Sequence, residues 1–347
     1  MMKSIAFLLY GCLSLRALGI GWGLAATCLS CAPVQTPAGC TDAIGAVALP
    51  GAATLNGSVL ASGTTHSVVI RERGRIECFG SEDDGRCDAP RSHADAIGVA
   101  AGSAHALAVF ADGSLACWGH DVFGQSSPPD TLGRLGAPVL AVAAGAWHSA
   151  ALTTAGEVVC WGDNRYGQCE APREGADFTA LAAGLYHTVA LRCDGTVAAW
   201  GESHCGSTMV PRRLDGVSAV AAGGYATAAI LADGGIVLWG RNDHGVCEVP
   251  HGLGPLRMVA LGNTHAAVVR EDGSVWCWGD NGEGQCDVPA TLGHARAIAA
   301  KASSTVALTE HGAVIGWGRR VHTDIAPTPP SPVLATRPAR GDAPARH

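Results

Sequence analysis

The sequence is short of lysine, of charge and of aromatic residues. Only Lys3 and Lys301 carry an ammonium group, charged residues make up 15% and aromatic residues 5% of the 347, and the net charge is −7. No arginine cluster or basic helix compensates, so the electrostatic footprint of nucleic-acid binding is missing. Long apolar runs are scarce too. The apolar run of "MMKSIAFLLYGCLSL" is interrupted at Arg16, and residues 4–15 fall short of the ~20 residues a stable membrane span needs. Neither a P-loop, a zinc-protease pattern nor a Ser-His-Asp order occurs, so no catalytic residue, cofactor or metal is expected. Helical periodicity is also lacking: apolar residues alternate with small or polar ones in short runs.

What is there is one pattern, repeated. The segment "GAWHSAALTTAGEVVCWGDNRYGQCEAP" from Gly145 has relatives starting at Gly63, Gly102, Gly184, Gly223 and Gly262, and a degenerate copy at Lys301. The aromatic residue before the second Gly falls at Phe79, Trp118, Trp161, Trp200, Trp239, Trp278 and Trp317, in steps of 39, 43, 39, 39, 39 and 39 residues. Turn glycines at Gly74, Gly113, Gly156, Gly195, Gly234, Gly273 and Gly312 repeat those steps. In each copy, runs equivalent to "VAAG", "HSAAL" and "VVCWG" predict three strands, with a hairpin between the second and third. The Gly-Gln-x-x-x-Pro piece predicts a short outer strand ended by Pro. Such a unit cannot bury its apolar face alone, so neighbouring units must stack. The expectation is an all-β protein, a seven-bladed β-propeller of ~39-residue repeats. "GAVALP" at residues 45–50 sits where "GVCEVP" precedes the sixth copy, and the last copy lacks its own version. An N-terminal half-repeat is therefore expected to close the ring.

The propeller takes up residues 42–327. Residues 1–41 form an apolar leader whose basic start fits a signal peptide. A secreted location follows if it is one and a cytoplasmic location if it is not. Residues 328–347 are Pro-rich and expected to be disordered; their Arg340-Gly341-Asp342 is read as coincidence. Within the repeats, Cys78/Cys87, Cys160/Cys169 and Cys277/Cys286 are placed symmetrically about a turn, so each pair could bond across two strands or serve as small buried residues. Zinc is disfavoured because the repeat sulfurs belong to separate blades. His66, His105, His148, His187 and His265 share one slot, with Ala226 and Ser304 in the other copies. No acid or nucleophile recurs with them, so a structural hydrogen bond at the strand start is expected.

The strand order puts the Gly-x-x-His loop and the loop after Trp-Gly on one face, opposite the hairpins. Just before the histidine slot, three consecutive copies carry Trp147, Tyr186 and Tyr225. Clustered loop aromatics commonly anchor protein interfaces. Asp163, Asn164, Arg165 and Tyr166 lie in the neighbouring loop, with Asp121, Phe123, Asn242, Asp280 and Asn281 in equivalent loops. The candidate partner-binding residues are Trp147, Tyr186, Tyr225, Asp163, Arg165, Tyr166 and Phe123. The partner is a protein, and the chain is expected to be monomeric.

The pattern "AAGxxHxxAL…DGxVxxWGDNxxGQxxxP" resembles the regulator of chromosome condensation repeat superfamily. The length of the copies is most similar to its short-repeat branch, that of beta-lactamase inhibitor protein II. The resemblance is carried best by "VAAGAWHSAALTTAGEVVCWGDNRYGQCEAP" and "AVVREDGSVWCWGDNGEGQCDVP". It implies a non-enzymatic, protein-binding propeller. The inhibitor branch would imply a beta-lactamase as partner, held by loop aromatics at Trp147, Tyr186 and Tyr225, although Thr65, Ala104, Thr264 and Ser303 leave the rest of that ring without them. The exchange-factor branch would imply a guanine-nucleotide exchange-factor-like regulator of a small GTPase, although the inserted wedge typical of that branch has no counterpart here beyond four extra residues.

Overall fold

Short alternating runs punctuated by glycine favour tight antiparallel hairpins. The computed structural model describes residues 58–90, 94–172 and 177–319. Among these it shows seven antiparallel three-stranded sheets, one after another along the chain. In the third, the strands are Val139–Ala144, His148–Thr153 and Val158–Gly162, matching the three runs expected from the repeat. The seven turn glycines all have φ between 64° and 83°, a left-handed conformation in which any Cβ is strained. The four extra residues of the second step lie around a one-turn helix, Asp130–Arg134. The apolar leader 1–41, the half-repeat at 45–50 and the tail 328–347 lie outside the described residues.

Each sheet buries its faces against its neighbours. The third contributes Val142, Ala151 and Trp161 to a cluster completed by Leu107 and Val109 of the second. Six further clusters repeat this arrangement, and one joins Leu60 and Val69 of the first sheet to Val306, Leu308 and Val314 of the seventh. The fold is a seven-bladed β-propeller. Alanine dominates the middle strands because neighbouring sheets leave little depth between them: Ala150, Ala151, Ala190, Ala228, Ala229 and Ala267 are fully buried.

The expected outer strand does not form. The Gly-Gln pieces are turns, with Gly124, Gly167 and Gly284 at φ of 77–78° bending the chain away from the ladder. Their glutamines do a different task. Gln125, Gln168 and Gln285 are fully buried, and their Oε1 atoms accept the backbone N–H of Phe123, Tyr166 and Glu283 at 2.8–2.9 Å. A side chain thereby closes each loop where a strand was anticipated.

The Gly-x-x-His spacing has a steric cause. A Cβ on Gly102, Gly145, Gly184 or Gly262 would lie 2.1 Å from Cε1 of the histidine three residues later, and one on Gly63 would lie 2.3 Å from that of His66. The glycine leaves room for the imidazole to fold back over the chain. Four of the five rings then reach the next blade, while both ring nitrogens of His66 lack a partner because Ala106 stands in the hydroxyl position. Nε2 lies 3.0 Å from the Ser149 hydroxyl for His105, 3.0 Å from Thr188 for His148, 3.0 Å from Thr227 for His187 and 2.8 Å from Thr305 for His265. Those hydroxyls in turn donate to the backbone oxygens of Gln125, Gln168, Ser207 and Gln285 at 2.8–3.0 Å. A hydroxyl has one proton, already given to the carbonyl, so Nε2 must be the donor and Nδ1 the bare acceptor. The same carbonyls of Gln125, Gln168 and Ser207 also accept the indole N–H of Trp161, Trp200 and Trp239 at 2.9–3.0 Å. Histidine, hydroxyl, carbonyl and indole thus form one relay from blade to blade.

One departure is paired. Ala226 stands in the histidine slot of the fifth blade, and Ala266 stands opposite it in place of the hydroxyl. In the seventh blade Ser304 replaces the histidine, and Lys301 occupies the position that glycine holds elsewhere. Without an imidazole to accommodate, that position tolerates a side chain. Lys301 is buried, its ammonium is 3.5 Å from the Ala144 carbonyl of the third blade, and burial lowers its pKa to about 8. In the first blade Phe79 takes the tryptophan slot.

Of the three cysteine pairs that could have bonded across strands, Cys78 and Cys87 are joined by a disulfide. Cys160, Cys169, Cys277 and Cys286 are free thiols. Burial pushes all four up, Cys169 to about 12 and Cys286 to about 11, so they are held as uncharged small side chains.

Two predictions follow from the relay. Burial lowers His105 and His148 to about 3, and His66, His187 and His265 to about 4. Folded-state values lie below the ordinary 6.5, so the unfolded chain binds more protons in the intervening window. Stability is therefore intact above about pH 6.5 and declines as pH falls towards 4, by about 1.4 kcal/mol per pH unit for each histidine. Urea midpoints measured between pH 7 and 5 should fall steeply; a flat profile would contradict neutral buried imidazoles. Secondly, a double-mutant cycle of His148→Ala and Thr188→Val should show a coupling of about 1–2 kcal/mol in urea unfolding.

Candidate functional site

Two loops of every blade are locked together. The N–H of the residue after the Trp-Gly or Phe-Gly pair donates to the carbonyl just before the histidine slot: Ser81 to Thr65, His120 to Ala104, Asp163 to Trp147, Glu202 to Tyr186, Arg241 to Tyr225, Asp280 to Thr264 and Arg319 to Ser303, at 2.8–3.0 Å. The Gly-x-x-His loops and the loops after Trp-Gly therefore share a face, as strand order required. Side chains at these positions differ from blade to blade while their backbones are fixed.

On this face the aromatic residues of blades two to five run together. Trp147 has His120 at 5.2 Å and Phe123 at 6.0 Å, centroid to centroid. The Arg165 guanidinium lies 5.3 Å above the Phe123 ring. Tyr166 and Tyr186 are 5.2 Å apart, Tyr186 and Tyr225 6.0 Å, and Arg241 covers Tyr225 at 5.7 Å. All the ring pairs are tilted, the arrangement that the aromatic quadrupole favours. Phe123 and Tyr166 are exposed, 40% and 47%, while Trp147, Tyr186 and Tyr225 are half-buried. The glutamine-closed loops hold Phe123 and Tyr166 at their tips.

Asp163 lies beneath this surface, only 4% exposed. Its carboxylate receives Nε and Nη2 of Arg165 at 2.8 and 3.0 Å and Nε2 of Gln168 at 3.2 Å. Burial acts to raise this carboxyl, but those donors outweigh it and hold it below its usual range. Asp163 thus presents Arg165, which is 60% exposed, rather than itself. Asn164, Asn242 and Asn281 accept the N–H of Cys169, Cys247 and Cys286 at 2.8–2.9 Å, and Asp121 that of Ser126 at 2.7 Å. These four brace their own loops. Asp280 binds Gly282 N–H and the Thr264 hydroxyl in the same way. His120, Arg241 and Glu202 were not singled out by the sequence reading, although all three occupy the position after Trp-Gly that Asp163 marks.

The Regulator of chromosome condensation (RCC1) repeat matches at residues 96–125, 139–168, 178–207 and 259–285. Four segments of the chain match this repeat, in the second, third, fourth and sixth sheets. Each matched RCC1 segment ends at Gln125, Gln168, Ser207 or Gln285, the residues whose carbonyls receive the next blade's hydroxyl. Solved structures agree on the fold. The CRINKLY WD40 ectodomain of the Arabidopsis thaliana receptor kinase ACR4 aligns at 23% identity and a TM-score of 0.63, over 78% of this chain and 98% of that one. The ectodomain of the Physcomitrella patens receptor kinase CR4 aligns at 21% identity and a TM-score of 0.62, over 75% and 73%. Prp20p from Saccharomyces cerevisiae aligns at 21% and 0.57, over 66% and 73%. No curated protein matches the sequence. Among the described residues, no group of three or more His, Cys, Asp or Glu side chains could hold a metal ion, and no helix is long and apolar enough to cross a membrane.

The arrangement makes different demands on Asp163 and Arg165. Asp163→Ala should lower stability by about 1–3 kcal/mol, because Gln168 loses a buried acceptor. Arg165→Ala should cost distinctly less, since its own guanidinium is exposed and the Arg165 backbone N–H and Gln168 Nε2 still reach the carboxylate. Equal losses for the two variants would contradict the assignment of Asp163 as the buried support.

Proposed function

We propose that this RCC1-repeat propeller binds a protein partner through the face formed by its Gly-x-x-His and Trp-Gly loops. The supporting observation is the unbroken run of side chains from His120 and Trp147, through Phe123, Arg165, Tyr166 and Tyr186, to Tyr225 and Arg241. Large rings locked by their neighbours lose little rotamer entropy on binding and present broad contact area, which is why tryptophan, tyrosine and arginine dominate interface hot spots. Trp147, Tyr186 and Tyr225 are the anchors, and Phe123, Arg165 and Tyr166 flank them.

The reading is tested by capturing a partner on immobilised protein and measuring its affinity for Trp147→Ala/Tyr186→Ala/Tyr225→Ala. A loss of several kcal/mol is expected, about 2 kcal/mol or more for each anchor before non-additivity. Undiminished affinity would sink the assignment. Prp20p, a structural relative at fold level, binds Gsp1p and histones, which keeps a regulator of a small GTPase as the second reading. Nucleotide release from a panel of small GTPases, unaccelerated by the purified chain, separates simple binding from that reading. Inhibition of a beta-lactamase by the chain would in turn identify the partner class of the short-repeat branch.

A further inference from the structure

Blade four carries a carboxylate that its own blade does not satisfy. Glu202 takes the position of Asp163, directly after Trp-Gly, and is 6% exposed. Its N–H donates to the Tyr186 carbonyl at 2.9 Å, which places it behind one of the proposed anchors. Oε1 receives the backbone N–H and Nδ1 of His204 at 2.7 and 2.9 Å. Oε2 is buried and has no hydrogen-bond partner.

Comparison with blade three shows how this arises. There the two carboxylate oxygens are shared by Arg165 and Gln168. In blade four His204 stands at the position of Arg165 and Ser207 at that of Gln168. Histidine reaches only the first oxygen, and the Ser207 hydroxyl donates instead to the Glu202 backbone carbonyl at 3.0 Å. Both donors to the second oxygen have been replaced while the acid and its burial are kept. Tyr166 has its counterpart at Cys205, a smaller side chain, between Tyr186 and Tyr225. Glu202 is close enough to the aromatic run to act on it: burial raises the Tyr225 phenol, and Tyr186, Cys205 and then Glu202 add to the effect. Elsewhere in the run the charges are matched internally, Arg165 by Asp163 and Arg241 by Asp243.

A buried carboxylate oxygen without a donor is destabilising, and a charged donor relieves it most effectively. We propose that Glu202 is a subsite for a lysine or arginine side chain of the protein partner, whose aliphatic stem lies along Tyr186 and Tyr225 while its cationic head reaches Oε2 as the exposed His204 side chain turns aside. The inference rests on the aromatic face being the binding surface. It adds the chemical identity of one partner residue, a cation set beside apolar contacts.

The test uses a displayed library of random linear peptides, panned on the full chain, on the Trp147→Ala/Tyr186→Ala/Tyr225→Ala variant and on Glu202→Gln. Peptides retained by the full chain and lost by the triple variant should be enriched in lysine or arginine next to apolar residues. Glu202→Gln should retain apolar selection with cationic enrichment back at the library background. A synthetic peptide from the selected set should bind Glu202→Gln about tenfold or more weakly. Replacing its lysine or arginine by norleucine should have the same effect, and the two changes together should cost no more than either alone. His204→Arg/Ser207→Gln, which restores the donors of blade three, should abolish the cationic preference and raise the urea midpoint. Anchor-dependent peptides without cationic enrichment, or additive losses in the cycle, overturn the subsite and leave the face intact. Retention of the same peptides by the triple variant, or no retained peptide at all, overturns the face and the subsite with it.

Discussion

One backbone carbonyl in each of blades two, three and four governs much of this structure. The oxygen of Gln125, Gln168 or Ser207 receives both an indole N–H and a hydroxyl of the following blade, and the hydroxyl in turn receives an imidazole N–H from the blade before. Two lone pairs on a single oxygen are filled, and the imidazole tautomer is fixed as a result. The glutamine side chain simultaneously closes the exposed loop. The interior junction and the loop geometry are therefore set by the same residue. Loop sequences can vary without disturbing the packing, and packing residues can recur without dictating the surface.

Much of the architecture was legible because period and pattern report on backbone geometry. The 39-residue step, the turn glycines and the alternation in "HSAALTTAGEVVCWG" each have a direct structural cause, and all three reappear as sheets, positive φ values and registers. The outer strand expected at Gly-Gln does not form, because a Gly-x-x-x-x-Pro run is compatible with either a short strand or a braced turn and the buried glutamine decides between them. The cysteine pairs look alike in sequence, yet only Cys78 and Cys87 are joined while Cys160/Cys169 and Cys277/Cys286 are not. The histidine slot was recognised as structural, but its hydroxyl partner lies about 40 residues on and on another blade. Only three-dimensional placement pairs Ala226 with Ala266.

Legibility of the candidate site was similarly divided. Trp147, Tyr186 and Tyr225 could be grouped from their shared offset to the histidine slot, and Phe123 and Tyr166 from their shared loop position. Which of their neighbours are buried depends on side-chain direction, which a repeat alignment does not contain. Asp163 and Glu202 occupy one alignment column and both lie beneath the surface. They differ in how many donors reach them, a difference written at positions two and five residues further on, in Arg165 against His204 and Gln168 against Ser207. A polar residue in such a repeat acquires its meaning from the companions it has kept or lost.

The join between the seventh and first blades differs from those in between. At its two sides Ser304 offers no imidazole and Phe79 no indole N–H, and its shared cluster is aliphatic, drawn from Leu60, Val69, Val306, Leu308 and Val314. Successive blades are already tethered by the chain, so directional hydrogen bonds can select their register at short range. The first and seventh blades have no such tether and must find one another over a long stretch of sequence. Apolar contact, which rewards approach from many angles before alignment is complete, suits that last encounter. The repeat thus carries two kinds of adhesive: a hydrogen-bonded relay between tethered neighbours, and a mainly apolar one at the seam, where Arg71 also donates to the Gly312 carbonyl.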